Sequence, residues 1–511
     1  MRMVATDIGL GSWFSRRARQ TPQRPALTFE GTTWTFAEML DRVDRLATAL
    51  RGAGVCRGDR LAFLGLNQPA FFELMFAAAR LGAIFVPLNF RLTGPELDYI
   101  INDAGVHTLV ADAGHRPIID GIRDRLPCRL YLSADAAADG WQAMHALAEA
   151  AAPLAQGETA VDDDIAAIMY TSGTTGRPKG TMLTHGNFWW ANICGKLDSD
   201  IRESDITLVV SPLFHIGGLN VTPLSTWQNG GHVVLHRSFD ASRFIEDVAR
   251  YRITTTFAVP AMLLFISQHA DFASADLSSM RLIICGGAPV PEPLLRLYNA
   301  RGVPMNQGYG LTETSPVGTY LGSDFALAKL GSAGKPAFFV DLRIVGDDGR
   351  TDLPTGERGE IIMRGPNIMR GYWNKPEATA AAIDSEGWFH SGDIGYLDED
   401  GFLFICDRLK DMIISGGENI YPAEIETVLY DHPAIAEVAI FGEPSERWGE
   451  SVTACVALNP GATLDLEALR AWATERLARY KLPSRLEIIK ALPRNPAGKV
   501  LKFELRDRYK Q

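Results

Sequence analysis

Eleven consecutive residues carry a recognisable chemistry: Tyr170-Thr-Ser-Gly-Thr-Thr-Gly-Arg-Pro-Lys-Gly180. Gly173, Gly176 and Gly180 free the backbone so that N–H groups can turn toward an anion, and the hydroxyls of Thr171, Ser172, Thr174 and Thr175 add donors. Lys179 contributes a point charge, so the stretch suits a polyphosphate. It is not a Walker A loop, because Pro178 stands where G-x-x-x-x-G-K-[S/T] requires glycine. A second set of groups lies in Asn306-Gln-Gly-Tyr-Gly-Leu-Thr-Glu313. Tyr309 can cover a base, Thr312 offers a hydroxyl to a phosphate, and Glu313 is a hard oxygen ligand suited to Mg²⁺. In Ser391-Gly-Asp393 a carboxylate after glycine can accept both hydroxyls of a ribose.

These groups need a scaffold. The apolar run Ile165–Met169 reads as a buried strand, and Pro178 with the apolar Met182-Leu183 predicts a loop between strands rather than one opening a helix. Thr35-x-x-Glu38 and Thr93-x-x-Glu96 are capping boxes that start helices. Phe71–Arg80 reads as a helix, and Arg60–Leu64, Ala83–Val86, Ile206–Val210, Thr255–Val259 and Leu282–Cys285 read as strands. Alternating helices and short apolar strands predict an α/β fold with a largely parallel sheet. Near Ile405 the pattern changes. About 100 residues follow with a helix from Ala423, strands near Ala439 and Val452, and a helix from Leu464 with Leu466, Leu469, Ala473 and Leu477 on one face. That is a small α+β domain.

Tyr170–Gly180 closely resembles the signature of the adenylate-forming superfamily: acyl-CoA synthetases, 4-coumarate–CoA ligases, luciferases and peptide-synthetase adenylation domains. Further segments match in the family's order over nearly the whole chain. The resemblance implies a large N-terminal α/β domain of several subdomains, residues 1–407, binding ATP and acid. It implies a hinge at 408–411 and a small mobile C-terminal domain, 412–511. It places Thr171–Gly176 and Lys179 on the phosphates, Gly287 and Ala288 in the wall of the adenine pocket, and Tyr309, Asp393, Arg408 and Asn419 on the nucleotide. Glu313 becomes the Mg²⁺ ligand, with Thr312 beside it. Lys499, in the turn Pro493-Arg-Asn-Pro-Ala-Gly-Lys499, becomes the catalytic lysine of adenylation. Lys410 is the pivot, and Gly416 and Gly417 lie along the thiol arm of coenzyme A. Ile414 stands where 4-coumarate–CoA ligases carry a lysine, so that charge is missing.

Such a reaction needs little acid–base machinery. A carboxylic acid with pKa about 4 to 5 is already ionised at neutral pH and is itself the nucleophile. The obstacle is its approach to an anionic α-phosphate, which positioning and fixed cations overcome. The expected activity is an ATP-dependent carboxylic acid–CoA ligase working through an acyl-adenylate. A nucleotide-binding protein without turnover is the reading from another class, and Glu313, Asp393, Arg408 and Lys499 together argue against it.

Pro212-Leu-Phe-His-Ile-Gly-Gly-Leu-Asn-Val221 resembles the segment lining the acid site, so His215, Ile216, Gly217, Val221 and Gly286 are the expected pocket residues. Gly217 stands where hydroxycinnamate ligases commonly place a tyrosine. An apolar tunnel without that handle favours a medium- to long-chain fatty acid, each buried CH₂ contributing roughly 0.8 kcal/mol. The Gly9–Trp13 opening resembles bacterial feruloyl-type ligases, so an aryl or hydroxycinnamic acid is the alternative, with loading of a carrier protein a third.

Bulk properties bound the rest. The 511 residues exceed one core, and the net charge of −11 argues against a nucleic-acid partner. No apolar run is long enough to span a membrane, and no secretory signal is visible. Six cysteines without C-x-x-C spacing fit a reducing cytoplasm. From Arg470 onward, 12 Lys/Arg face 4 Asp/Glu. This is a solvated helical face on the plain reading; a dock for CoA phosphates or peripheral contact with an anionic membrane are the sharper ones.

Overall fold

The computed structural model describes residues 7–171, 178–408, 411–415, 418–445, 449–474, 476–477, 479–494 and 500–509. At Arg408, Ile414, Glu418, Asn419 and Tyr480 it describes the backbone alone. Contacts divide the chain into two compact units: residues up to Leu342 with Met363–His390, and Arg343–Ile362 with Ser391 to the C-terminal end.

The first unit is built on two sheets. In one, Pro25–Phe29, His232–Leu235, Ile206–Val209, Thr255–Ala258, Leu282–Gly286 and Met305–Tyr309 run parallel as neighbours. Thr319–Leu321 and Ser332–Pro336 continue it antiparallel. The other has eight strands, with Arg60–Leu64 between Ile84–Leu88 and Val106–Ala111 at its centre. Helices cover the parallel strands, as the alternation of patterns predicts. Both capping boxes form: Thr35 with Glu38 starts Phe36–Gly52, and Thr93 with Glu96 starts Gly94–Ala104. One face of the first sheet packs on a core that includes Leu208, Ile283, Cys285, Met305 and Phe244. The opposite face carries Phe257, Leu282 and Ile284, packed with Ile201 and half-buried Val221 and Val259.

The predicted loop between strands is a hairpin. Ile165–Thr171 and Lys179–Thr184 pair antiparallel, with Thr171 opposite Lys179. The Tyr170 hydroxyl donates to Asp103 (2.7 Å), which ties the hairpin to helix Gly94–Ala104.

In the second unit, Phe389–Leu397 pairs antiparallel with Leu403–Arg408. A five-stranded sheet joins Glu418–Ile420, Ile413–Ser415, Gly449–Leu458, Ile435–Ser445 and Arg485–Ile488. Helices Pro422–Tyr430 and Leu466–Thr474 close its core, where Ile425, Leu429, Leu469 and Ala473 are buried. Leu464 packs against this core, whereas Leu466, expected on the core face, is half-buried. Among the described residues no helix is long and apolar enough to cross a membrane.

Candidate active site

Nine of the expected site residues, Ser172, Gly173, Thr174, Thr175, Gly176, Lys410, Gly416, Gly417 and Lys499, lie outside the described residues. The others fall into three groups.

The first group gathers around Glu313. Strand Met305–Tyr309 ends in Gly310, where an added Cβ would lie 1.6 Å from the Pro316 carbonyl oxygen, so only glycine fits. The chain then makes a single 3-10 turn, Thr312–Thr314, and Ser315 follows in the left-handed region with φ 64°. Such a turn needs holding, and two asparagines do so. Asn220 Nδ2 donates to the Ser315 carbonyl (2.6 Å), while Asn367 Nδ2 donates to the carbonyls of Thr314 (2.8 Å) and Val317 (2.5 Å). Asn192 in turn donates to Asn220 Oδ1 (2.8 Å). Buried donors that are paired in this way hold the turn in one geometry, and this one presents Glu313.

Glu313 is 8% exposed, and its Oε1 accepts a hydrogen bond from the Tyr372 hydroxyl at 2.9 Å. Tyr372 lies on the short strand Gly371–Tyr372, paired with Lys179–Thr184, and Lys179 Nζ sits 5.0 Å from the centre of its ring. Burial, with the Glu313 charge beside it, raises the Tyr372 pKa, so the phenol stays protonated and donates. The hairpin lysine, the aromatic ring and the carboxylate thus form one line. Tyr372 was absent from the sequence expectations; the signal was Gly371-Tyr372-Trp373, an aromatic pair after a glycine. Oε2 of Glu313 has no hydrogen-bond partner among the described residues. Mg²⁺ in nucleotide sites takes one or two carboxylates and completes its shell with phosphates and water, and a single carboxylate with one spare oxygen fits that.

The second group is a trough of glycines. Gly286 and Gly308 are register partners, and a Cβ on Gly286 would lie 2.8 Å from the Gly308 carbonyl oxygen. Gly287 has φ +82° and, with Ala288, is exposed. Backbone without side chains is thereby laid open beside half-buried Tyr309, a surface on which a flat base can rest.

Beside it lies the segment expected to bind the acid. Gly218 has no alternative, since a Cβ there would lie 2.3 Å from the Pro212 carbonyl oxygen. Ile216 is buried, and Val221 packs on the Phe257 cluster. A Cβ on Gly217 would lie 3.1 Å from two atoms of the Phe257 ring. The volume that a Gly217 side chain would take is therefore partly filled by Phe257. His215 keeps surface in contact with solvent yet is hemmed in by protein, as befits a residue lining a cleft. Desolvation first, and then the nearby Arg91 charge, lower its pKa to about 4. It is a neutral imidazole at physiological pH. Phe214 packs on it with ring centres 4.2 Å apart. A small recess of about 50 Å³, lined by Arg91, Pro212 and Met262 among others, adjoins this segment. A larger cavity of about 280 Å³, lined by His236, Asp247 and Arg243, includes none of the expected site residues.

The third group belongs to the second unit. Asp393 is only 2% exposed, and its backbone N–H donates to Ser391 Oγ (3.0 Å), which itself donates to the Ile361 carbonyl (2.6 Å). In register, Asp393 faces Arg408 across the strand pair. Asn419 faces Ile414 in the hairpin that follows.

Known proteins resemble this chain over almost its whole length. A family model described as AMP-binding enzyme matches residues 14–373, and one described as AMP-binding enzyme C-terminal domain matches residues 424–499. A feruloyl-CoA synthase of an Amycolatopsis species is 45% identical over 98% of this chain and 99% of its own length. A long-chain-fatty-acid–CoA ligase of Mycobacterium tuberculosis is 40% identical over 98% of each. The structure of the o-succinylbenzoate coenzyme A synthetase of Bacillus subtilis, solved with ATP and a magnesium ion, superposes with a TM-score of 0.87. It is 36% identical and covers 97% of this chain and 99% of that one.

Proposed function

Because the chain belongs to the AMP-binding enzyme family and is an AMP-forming acid–CoA ligase, we propose that it activates an aryl carboxylic acid with ATP and transfers the acyl group to coenzyme A. The observation that carries the nucleotide half is Glu313, a buried carboxylate with one oxygen held by Tyr372 and the other without a partner among the described residues. Mg²⁺ bound there supplies positive charge to the phosphates. Lys179 and the Thr171–Gly176 loop bind the polyphosphate, and the Gly286–Ala288 backbone with Tyr309 holds the adenine. Asp393 takes the ribose hydroxyls, and Arg408 and Asn419 contact the nucleotide.

The acid carboxylate attacks the α-phosphate, forming the acyl-adenylate as pyrophosphate leaves. No side chain has to remove a proton, because the nucleophile is already an anion. Lys499 offsets the repulsion between the two anions, and His215, neutral, lines the acid cleft without adding charge. For the second step Lys499 withdraws by motion about Arg408–Asp411, and the thiol, passing Gly416 and Gly417, displaces AMP. The six cysteines, all free thiols, fit action in the cytoplasm.

The sequence placed a fatty acid first, on the loss of a polar handle at Gly217. Phe257 packed on that glycine favours the aryl alternative, since an aromatic wall replaces part of an open tunnel. Aromatic rings in contact gain about 0.5–1.5 kcal/mol beyond area burial. The feruloyl-CoA synthase relative supports the same order. The fatty-acid reading keeps the support of Val221, Ile284 and the mycobacterial relative.

The test is acid-dependent exchange of pyrophosphate into ATP across aryl and fatty acids. Lys499→Ala lowers adenylation by about 100- to 1000-fold, the usual cost of removing one group that stabilises transition-state charge. It leaves thioester formation from supplied acyl-adenylate near the wild-type rate. Equal loss in both half-reactions refutes the two-step account.

A further inference from the structure

Tyr320 is a phenol with no hydrogen-bond partner among the described residues. It lies on Thr319–Leu321, opposite Gly308 in the antiparallel pair, and Gly308 is itself the register partner of Gly286. Register partners share a face, and residues two apart on a strand return to it. Phe257 pairs with Ile284, two residues before Gly286. Phe257, Gly286, Gly308 and Tyr320 therefore look out from the same face of the sheet, the one that carries the acid segment.

Contacts fix the direction of the ring. A Cβ on Gly308 would lie 3.6 Å from Cε1 of Tyr320, and a Cβ on Gly195 would lie 3.5 Å from its hydroxyl oxygen. The ring thus starts over the glycine trough and ends against helix His185–Ser199 at a residue with no side chain. Beside Tyr320 the two neighbouring strands present Gly308 and Gly286, and a Cβ on Gly286 would lie 3.7 Å from the Phe257 ring. The phenol is half-buried, so it keeps open surface, and its hydroxyl meets no donor or acceptor among the described residues. The nearest carboxylate electrostatically is Asp198, whose Oδ2 accepts from the Phe338 backbone N–H (3.2 Å). Desolvation, with Asp198 and Cys194 close by, raises the phenol's pKa, so it remains a neutral O–H able both to donate and to accept.

We infer that the Tyr320 hydroxyl is the hydrogen-bonding terminus of the acid pocket and selects aryl acids that carry a ring hydroxyl. A ring hydroxyl can donate and accept in the same way, so the two groups satisfy each other. An alkyl chain in that place would strip water from the phenol and return nothing, and an unsatisfied buried polar group is costly. The polar handle missing at Gly217, on helix Ile216–Asn220, is thereby supplied from the strand Thr319–Leu321. The inference rests on the aryl-acid reading.

The experiment measures kcat/KM for acid-dependent AMP release with 4-hydroxycinnamate, cinnamate and dodecanoate. Tyr320→Phe lowers the ratio of 4-hydroxycinnamate to cinnamate by about 3- to 10-fold, the worth of one neutral hydrogen bond. Gly195→Ala, a change that favours helix, sets a methyl group against the phenol oxygen and lowers the same ratio; it keeps the test open if Tyr320→Phe folds poorly. Turnover of both cinnamates with the ratio unmoved in both variants overturns the inference and spares the aryl-acid reading. Turnover of dodecanoate with neither cinnamate used overturns both.

Discussion

Replacing Tyr372 by phenylalanine removes one oxygen and leaves the ring. The lost contact is the 2.9 Å hydrogen bond to Oε1 of Glu313, while the ring face beneath Lys179 Nζ survives. A hydrogen bond to a charged group contributes about 1.5–3 kcal/mol. At about 1.4 kcal/mol per factor of ten, that is roughly 10- to 150-fold in any equilibrium that depends on how Glu313 is oriented. Outer partners of metal-binding carboxylates act over a similar range, about 10- to 100-fold in metal affinity. At 8% exposure Glu313 has little water with which to replace the phenol. The assay is pyrophosphate exchange at fixed ATP as a function of free Mg²⁺. Half-saturating Mg²⁺ rises about 10-fold or more in Tyr372→Phe, and the maximal rate recovers toward wild type at high Mg²⁺. An unchanged value refutes the role of Tyr372 in positioning Glu313. A lower value shows that the phenol competes with the metal for Oε1, the opposite of the arrangement argued above.

Two further outcomes follow from the same geometry. Gly310→Ala puts a Cβ 1.6 Å from backbone with no flexible side chain to yield, so adenylation is lost or the protein fails to fold. Gly52→Ala, with nothing within 4 Å, is the control and stays within about 1 kcal/mol of wild type by urea unfolding. Buried His185 has its pKa lowered to about 4 by desolvation, against about 6.5 in the unfolded chain. Between those values the unfolded state binds the extra proton, so stability is present above about pH 6.5 and falls as the pH drops toward 4. From pH 7 to pH 5 the loss from His185 is on the order of 1–2 kcal/mol. Urea midpoints for wild type and His185→Gln check this; equal pH dependence of the two contradicts it.

What could be read from the chain depended on how local the cause was. The capping boxes act over three residues, and both helices begin where they lie. The hairpin around the phosphate loop was legible because Pro178 and the apolar residues after Gly180 exclude a helix there. Glu313 stood out as a candidate by its type and by its place after Tyr309. The groups that hold it were not. Tyr372 is 59 residues away, Asn220 lies 95 residues from Ser315, and Asn367 lies 53 from Thr314. An asparagine that clamps a distant turn looks like any other asparagine until the sheet order brings the two together. Gly217 shows the same limit from the other side. Its missing side chain suggested empty volume, and the neighbour that fills part of it, Phe257, comes from a strand 40 positions later.

The line from Lys179 through the Tyr372 ring to Glu313 has an electrical consequence. Two opposite charges left to meet directly would cancel, and neither would remain for an incoming polyanion or cation. The aromatic spacer engages the ammonium through its face and the carboxylate through its hydroxyl. Each charge is steadied but not spent. The protein thus keeps a cation and an anion at close quarters, the arrangement that the proposed binding of a metal–nucleotide complex calls for.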